Sequence, residues 1–392
     1  MTWLVVGAGF TGATIAERMA SAGERVVVCE QRPFLGGSAA DYRAEDGLLI
    51  QRFGPHVFHT NSEKVWQYVN RFGEWRAIKY RVAANIGGAR VPLPLDFRVL
   101  DYLIGRAQAA LPAEPAPGFN EVIMSQVSAM KTDLKASLTA RYGLGARVGV
   151  MQLRRDFPAL ADWAIEHVFR AYNEKHWGMP LEEVPASVLA RLPFVVGEQE
   201  AYFTDKYQAV PALGYTRIIE RMLDHPNITV EVGAEVNGRN RFNEPIIWTG
   251  SPDAFFGEAG ALPYRSVAFT VFRGGPEQTK LNLASPYATY TYPTPHEHTR
   301  STEMLHINGW PDPTAFSGGS ALVSDFPRAY VPGKNDPFYP IPLEQNIRRA
   351  QEYAARRPKN VWFAGRLGSY QYLNMDQAIA QALALFERIR AT

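Results

Sequence analysis

Residues 2–30 read "TWLVVGAGFTGATIAERMASAGERVVVCE" and leave the chain little freedom of fold. Trp3–Val6 is a short apolar run, long enough for one buried strand. Gly7, Gly9 and Gly12 form G-x-G-x-x-G. The first glycine allows a tight turn, the second lets a pyrophosphate approach the backbone, and the third lets helix and strand pack closely. Thr11–Ala22 reads as a helix whose N-terminus faces the phosphates. Arg25–Cys29 is the next strand. Glu30 ends it about 20 residues after the glycines, where a carboxylate can accept both ribose hydroxyls.

A glycine turn that merely joined strand to helix would explain neither Glu30 nor the "RPFLGGSAADY" that follows. Gly36 and Gly37, just past the acidic strand, suit a long cofactor folded over the sheet, which favours FAD over NAD. Cofactor contacts are therefore expected at Gly7, Gly9, Phe10, Thr11, Gly12, Glu30, Gln31, Gly36, Gly37 and Ser38.

A length of 392 residues allows two or three domains with ample core. The formal net charge of +2 supplies no field for nucleic acid, so no nucleic-acid partner is expected. Cys29 is the single cysteine and lies in a strand, so no disulfide forms within the chain. The start lacks a basic leader and no run approaches 18 apolar residues, so a cytoplasmic protein without membrane insertion is expected.

Along the chain, "NSEKVWQYVNRF" places Val65, Tyr68, Val69 and Phe72 at helical spacing behind Ser62, a suitable N-cap. "RVAANIGGARVPLPLD" reads as a hairpin around Gly87 and Gly88. Residues 97–183 are helical in pattern, broken by "LPAEPAPGF". Between Ile246 and Phe326 strand-like runs dominate: "EPIIWTG", "YRSVAFTVFR", "ATYTYP", "TEMLHING" and "SALVSDF". "NVWFAG" adds a strand, and Asp376–Ile389 is an amphipathic helix.

"FGPHVFHT" supplies His56 and His59. No matching set of ligands surrounds them, so no metal is expected. They read either as hydrogen-bonded core residues or as flavin contacts; Gly54-Pro55 forces a loop, which favours a flavin contact for His56. "AYNEKHWGMPLEEVPASVLARLP" carries Tyr172, Trp177 and Arg191. "HTRSTEMLHI" carries Arg300, and "AGRLGSYQYLNMDQ" carries Arg366, Tyr370 and Tyr372. Aromatic rings can stack on a base, and a guanidinium can clamp a phosphate. Each arginine alone also fits a structural ion pair. Three of them in aromatic-rich segments point to a diphosphate site. No acid–base couple stands at readable spacing, so the flavin is the expected reactive group.

With these motifs in order, the chain resembles the UDP-galactopyranose mutases of prokaryotic type over nearly its full length. "GPHVFHT", "AYFTDKYQAVPALGYTRIIERML", "IWTGSPDAFF", "YRSVAF", "HTRSTEMLH", "FYPIP" and "FAGRLGSYQYLNMDQAIAQAL" carry the resemblance. "YNEKHWG" resembles that family's Tyr-x-x-Lys-Gln-Trp-Gly. The resemblance implies an α/β + α architecture: a Rossmann-like FAD-binding domain (1–76, 213–240, 329–392), an antiparallel β-sheet domain (77–96, 184–212, 241–328) and a helical-bundle insert (97–183).

It further implies a nucleoside-diphosphate-sugar substrate interconverted between pyranose and furanose forms. The active cofactor is reduced FAD, whose N5 attacks the anomeric carbon to give a flavin–sugar iminium intermediate. An external reductant such as NAD(P)H or a reductase is implied, and a homo-oligomer is compatible. By the same resemblance Arg191 and Arg300 stabilise the diphosphate, and Tyr172, Trp177 and Tyr202 line the nucleotide pocket. Tyr339 and Tyr372 bind phosphates. His56, Val57, Gly365, Arg366, Asn374 and Met375 join the cofactor site, with His56 counted among the catalytic residues.

Some positions depart from the family pattern. Asn374 replaces aspartate in "YLNMD", Tyr80 stands where the family has asparagine, Gly36-Gly37 is followed by Ser38, and Leu305 replaces lysine. Val195 replaces an arginine, and the usual Asn-Tyr reads Tyr290-Thr291 or Thr291-Tyr292. Tyr80 is a candidate substrate contact. Changes that spare the cofactor motifs and fall near the sugar leave a different nucleotide sugar, such as a deoxy or amino sugar, as an alternative. A net flavin oxidoreductase is a further one.

Overall fold

In the computed structural model, which describes residues 2–109, 119–189, 193–236, 244–275, 277–278, 283–293, 296–309 and 319–391, the N-terminal unit forms as expected. Thr2–Val6 and Arg25–Glu30 pair in parallel, joined by the helix Phe10–Ser21. Ile228–Val232, Ile246–Trp248 and Val361–Phe363 complete a five-stranded parallel sheet. Its order is 228–232, 25–30, 2–6, 246–248, 361–363. The strand order reverses between Thr2–Val6 and Ile246–Trp248, the point at which an open parallel sheet leaves a crevice at the C-terminal ends of its strands. The helices Phe10–Ser21, Tyr215–Leu223 and Met375–Arg390 bury Ile15, Met19, Ile219 and Ile379 in one core with Val5, Val28 and Ile247. Ser62 caps the helix Glu63–Asn70, accepting a bond from the Val65 N–H.

A seven-stranded sheet stands beside this unit. Its order is Tyr339–Pro340, Tyr264–Arg273, Ala321–Ala329, Arg300–Glu303, Thr289–Thr291, Val82–Ile86, Ala89–Leu93. The expected hairpin around Gly87 and Gly88 forms its far edge. Helices Arg98–Ala109, Phe119–Tyr142, Val150–Asp156, Pro158–Ala164 and Arg170–Trp177 make up the insert. Its core gathers Leu95, Phe97, Leu138, Leu153, Phe169 and Trp177.

Several expectations need correction. Ile246–Trp248, expected in the antiparallel domain, lies inside the parallel sheet between Thr2–Val6 and Val361–Phe363. A three-residue run buried at every position fits either sheet, and only the partner strands decide. Tyr339–Pro340, expected with the FAD-binding part, pairs with Tyr264 and Arg265 at the edge of the larger sheet. Tyr207–Pro211 joins Phe58–Thr60 and Trp75–Ala77 in a separate three-stranded sheet. The larger sheet is also not wholly antiparallel: Thr289–Thr291 runs parallel to Val82–Ile86. No helix among the described residues is long and apolar enough to cross a membrane.

"TEMLHING" is only half strand. At Glu303 the chain turns into the short helix Met304–Ile307, and the Glu303 carboxylate caps it, accepting from Leu305 N at 3.2 Å and His306 N at 2.6 Å. The side chain is buried, and burial raises its pKa from 4.5 to about 7 against the pull of those two N–H groups. The folded state therefore holds its proton more tightly than the unfolded chain. Stability from this group is full below pH 4.5 and is lost as pH rises to about 7, by roughly 3 kcal/mol at most. We expect the unfolding midpoint of the wild-type protein to fall between pH 5 and pH 8. In Glu303→Gln, which mimics the protonated acid, that slope should flatten; equal slopes would refute the assignment.

Candidate active site

The dinucleotide cradle is built from two glycine turns that meet. A Cβ on Gly12 would lie 1.9 Å from the Gly7 carbonyl oxygen, so the helix can approach the strand only without one. A Cβ on Gly37 (φ 56°) would lie 2.8 Å from the Gly9 Cα. The helix Phe10–Ser21 starts at Gly9 with no side chain capping it, so its first-turn N–H groups suit an anion. Glu30 is buried at the end of its strand, with Oε2 accepting from Ala8 N at 2.8 Å and Oε1 from Arg32 N at 3.0 Å. A carboxylate offers about four lone-pair positions, so both oxygens can still take ribose hydroxyls. Gly365 is packed against Thr11, which brings the distant C-terminal segment to the cradle. Ser38 lies in the turn Gly37–Ala39, Val57 is buried, and Gln31 is exposed just beyond Glu30. Asn374 is the N-cap of Met375–Arg390, its N–H bonded to Gln377 Oε1 at 2.9 Å. An uncapped helix start, bare glycine backbone and an acid on the neighbouring strand together fit an adenine dinucleotide such as FAD.

Arg300 opens the second half of the site. It begins the strand Arg300–Glu303, and its Nε–H donates to the buried Asp325 on the neighbouring strand. Burial acts to lower its pKa, but Asp325 and the phenols of Tyr172, Tyr339 and Tyr80 outweigh this and hold it well above the ordinary value. Arg300 is therefore a fixed cation. Arg366 is a second cation, with Nε and Nη2 donating to the Leu373 carbonyl at 2.9 and 2.6 Å. Its guanidinium lies 5.1 Å from the Tyr339 ring centre and 5.5 Å from that of Tyr372. Those two rings stack at 5.5 Å and 18°. Trp177 packs on Tyr372 at 6.0 Å.

The helix Arg170–Trp177 supplies the facing wall. Tyr172 and His176 are one turn apart and lie parallel, 6.1 Å between ring centres, and His176 reaches Tyr339 at 5.0 Å. Tyr80 is buried, its hydroxyl donating to Thr289 Oγ1 at 2.8 Å, and Thr289 meets Thr302 at 2.8 Å. Tyr202 packs edge-on against Tyr80 at 5.9 Å. Burial pushes the Tyr80 hydroxyl up to about 12, so it stays protonated at neutral pH.

His56 sits on the loop before Phe58–Thr60. Its Nδ1 lies 2.9 Å from the Gly54 carbonyl, which can only accept, so Nδ1 carries the proton and Nε2 is left as an acceptor. Burial, then Arg366 and Arg300, lower its pKa to about 4. It is neutral at pH 7 and poorly suited to act as an acid there. Burial and the arginines likewise bring His176 down to about 3.

The fold thus gathers Tyr80, Tyr172, Trp177, Tyr202, Arg300, Tyr339, Arg366 and Tyr372 into a cluster linked by ring packing and by the two cations, with Arg366 next to Gly365 of the cradle. Arg191 lies outside the described residues. His59 goes elsewhere, stacking on Phe203 at 3.8 Å and bonding Asp205 at 2.9 Å. Tyr370 is buried against Pro263 and Tyr264, away from the cleft.

Sequence reasoning missed His176, Asp325, Lys175 and Arg265. The Lys175 ammonium donates to the carbonyls of Tyr292, His296 and His298 at 2.5, 2.8 and 3.1 Å, tying the aromatic helix to the loop that leads into Arg300. Arg265 caps the same helix by donating to Lys175 O at 3.0 Å and His176 O at 2.8 Å. The spacing of Tyr172 and His176 was the available signal; Asp325 offered none, because its partner is 25 residues away.

Comparisons with known proteins show the family and the fold. The profile of a family described as "UDP-galactopyranose mutase" matches residues 167–372, and one described as "NAD(P)-binding Rossmann-like domain" matches residues 5–72. The chain is 32% identical over 386 residues to a "Probable UDP-galactopyranose mutase" of Klebsiella pneumoniae, covering 97% of this chain and 92% of the relative. It is 31% identical over 401 residues to the "dTDP-fucopyranose mutase" of Escherichia coli, covering 97% and 96%. A crystal structure of reduced UDP-galactopyranose mutase superposes with a TM-score of 0.66 at 15% identity, covering 100% of this chain and 94% of the other. Putrescine oxidase shares the fold with a TM-score of 0.52 at 12% identity, covering 100% of both chains.

Proposed function

Because this chain belongs to the UDP-galactopyranose mutase family, we propose that it interconverts the pyranose and furanose forms of a nucleoside-diphosphate sugar, with FAD as its cofactor. The observation that carries this reading is the pairing of two cations, Arg300 and Arg366, with a ring of phenols beside a dinucleotide cradle. A small amine or alcohol would need no such clamp, which counts against a net flavin oxidoreductase.

Bound and reduced, FAD supplies a nucleophilic nitrogen for the anomeric carbon. The chain's own residues do the rest. Arg300 holds the diphosphate as its bond to the anomeric carbon breaks and negative charge grows on the leaving oxygen. Tyr339 and Tyr372 present hydroxyls to the same phosphates, and Tyr172, Trp177 and Tyr202 cover the nucleoside. Neutral His56 offers Nε2 as an acceptor toward the cofactor. After the ring opens and recloses on a different hydroxyl, the same diphosphate returns, so the mass is unchanged and no reductant is consumed per turnover.

The experiment is to incubate dithionite-reduced protein with a panel of UDP- and dTDP-sugars and to look for isomers of unchanged mass. Purified protein should be yellow and release non-covalent FAD. Oxidation of one NAD(P)H per turnover would replace this reading with an oxidoreductase.

A second reading keeps the chemistry and changes the sugar. The similarity to a dTDP-fucopyranose mutase and the departures at Tyr80 and Asn374 favour it. Asn374 is an N-cap, and aspartate serves equally well there, so Asn374→Asp tests chemistry with little change of fold. The variant is expected to turn over UDP-galactose faster than the wild type. Equal rates would return the chain to plain UDP-galactopyranose mutase activity.

A further inference from the structure

Asp325 occupies the middle of the strand Ala321–Ala329, with Arg300 in register on one side and Phe269 on the other. It is 2% exposed. Its Oδ2 accepts the Nε–H of Arg300, and its Oδ1 is buried with no hydrogen-bond partner. The carboxylate also presses on the His56 loop: a Cβ on Gly54 would lie 2.9 Å from both of its oxygens. The Gly54 carbonyl in turn accepts the Nδ1–H of His56 at 2.9 Å. One buried carboxylate therefore touches both the principal cation and the loop expected to meet the cofactor.

An arginine presents five N–H donors in a planar fork. With Nε engaged by Asp325, the two Nη groups remain for a second, bidentate acceptor. A guanidinium anchored through one edge has lost most of its rotational freedom before any anion arrives, and such preorganisation is what makes a charged donor effective. The fully buried partner also prevents Arg300 from standing uncompensated in the cleft between turnovers.

We propose that Asp325 is the positioning residue for Arg300, holding it by Nε so that both Nη groups face the diphosphate. This rests on the proposed function for its effect on turnover, but not for its effect on binding.

The test is a double-mutant cycle on the full-length, FAD-loaded protein with two readouts. The first is the Kd for UDP; the second is kcat of the reduced enzyme per bound flavin. Asp325→Asn keeps the size of the side chain and removes its charge. It is expected to weaken UDP binding and to lower kcat by about tenfold each, as Arg300→Ala does or more strongly. The double variant should be no worse than Arg300→Ala alone, since Asp325 acts only through Arg300. A merely structural aspartate would instead give multiplying losses, and that result, or a wild-type Asp325→Asn, overturns the proposal. Should Asp325→Asn fail to fold, Asp325→Glu keeps the charge but displaces the guanidinium. It should show the same coupling to Arg300, and wild-type values would overturn the proposal equally. If the wild type isomerises no nucleotide sugar, the mutase reading fails, while the UDP cycle still decides the role of Asp325.

Discussion

Arg300→Ala is expected to lower turnover by the reduced protein about a hundredfold while FAD stays bound. The substitution removes a partly buried, permanently charged donor that stands among the phenols of Tyr80, Tyr172 and Tyr339. In the proposed reaction, charge grows on the diphosphate oxygen only as its bond to the sugar breaks, so a donor fixed beside it would contribute more in the transition state than in the ground state. Losing one such donor costs on the order of 3 kcal/mol. The glycine turns, the helix start Phe10–Ser21 and Glu30 lie on other elements than Arg300, so flavin content should be unchanged. The measurement is kcat/KM per bound flavin. A near-normal value would make Arg300 no more than the structural partner of Asp325. Arg300→Lys should recover little, because an ammonium cannot hold Asp325 and the diphosphate with one planar fork.

Gly12→Val should yield protein without FAD. The added Cβ would sit 1.9 Å from the Gly7 carbonyl oxygen and 3.3 Å from a Val5 methyl. The first of these contacts is backbone and cannot swing aside. The helix Phe10–Ser21 must then move off the strand, carrying its uncapped N–H groups away from the pyrophosphate position. Overpacking of this kind costs roughly 1–3 kcal/mol in ordinary cores, so the chain should still fold, at a lowered midpoint. Absorbance near the flavin bands and mass spectrometry of released cofactor provide the readout. Gly149→Ala is the control: a Cβ there meets nothing within 4 Å, and it should purify with full cofactor. Full occupancy in Gly12→Val would remove the glycine turn from the cofactor site.

Local rules made much of the fold legible. The strand–turn–helix–strand unit through Glu30, the Ser62 cap and the Gly87–Gly88 hairpin each depend on residues within a few positions of one another. Tyr172 and Trp177 lie on one short helix, and they too were readable as aromatic wall. Two of the shortest elements were not. Ile246–Trp248 and Tyr339–Pro340 have no periodicity long enough to reveal their sheet, so each was assigned to the wrong one.

By itself the sequence determined that the chain carries a Rossmann-like unit on a parallel sheet, with arginines and aromatic rings suited to a diphosphate. It did so because glycine spacing, strand-end acids and helix caps act over short stretches of backbone. Only the tertiary structure decided which partner each charged group meets. Asp325 reaches Arg300 across two strands, Lys175 grips a loop more than a hundred residues away, and Gly54 closes on Asp325 from another part of the chain. These contacts join groups far apart along the chain, where charge and burial favour many partners equally. Packing selects one of them, because a buried charge is stable only where an opposite charge has been brought to it.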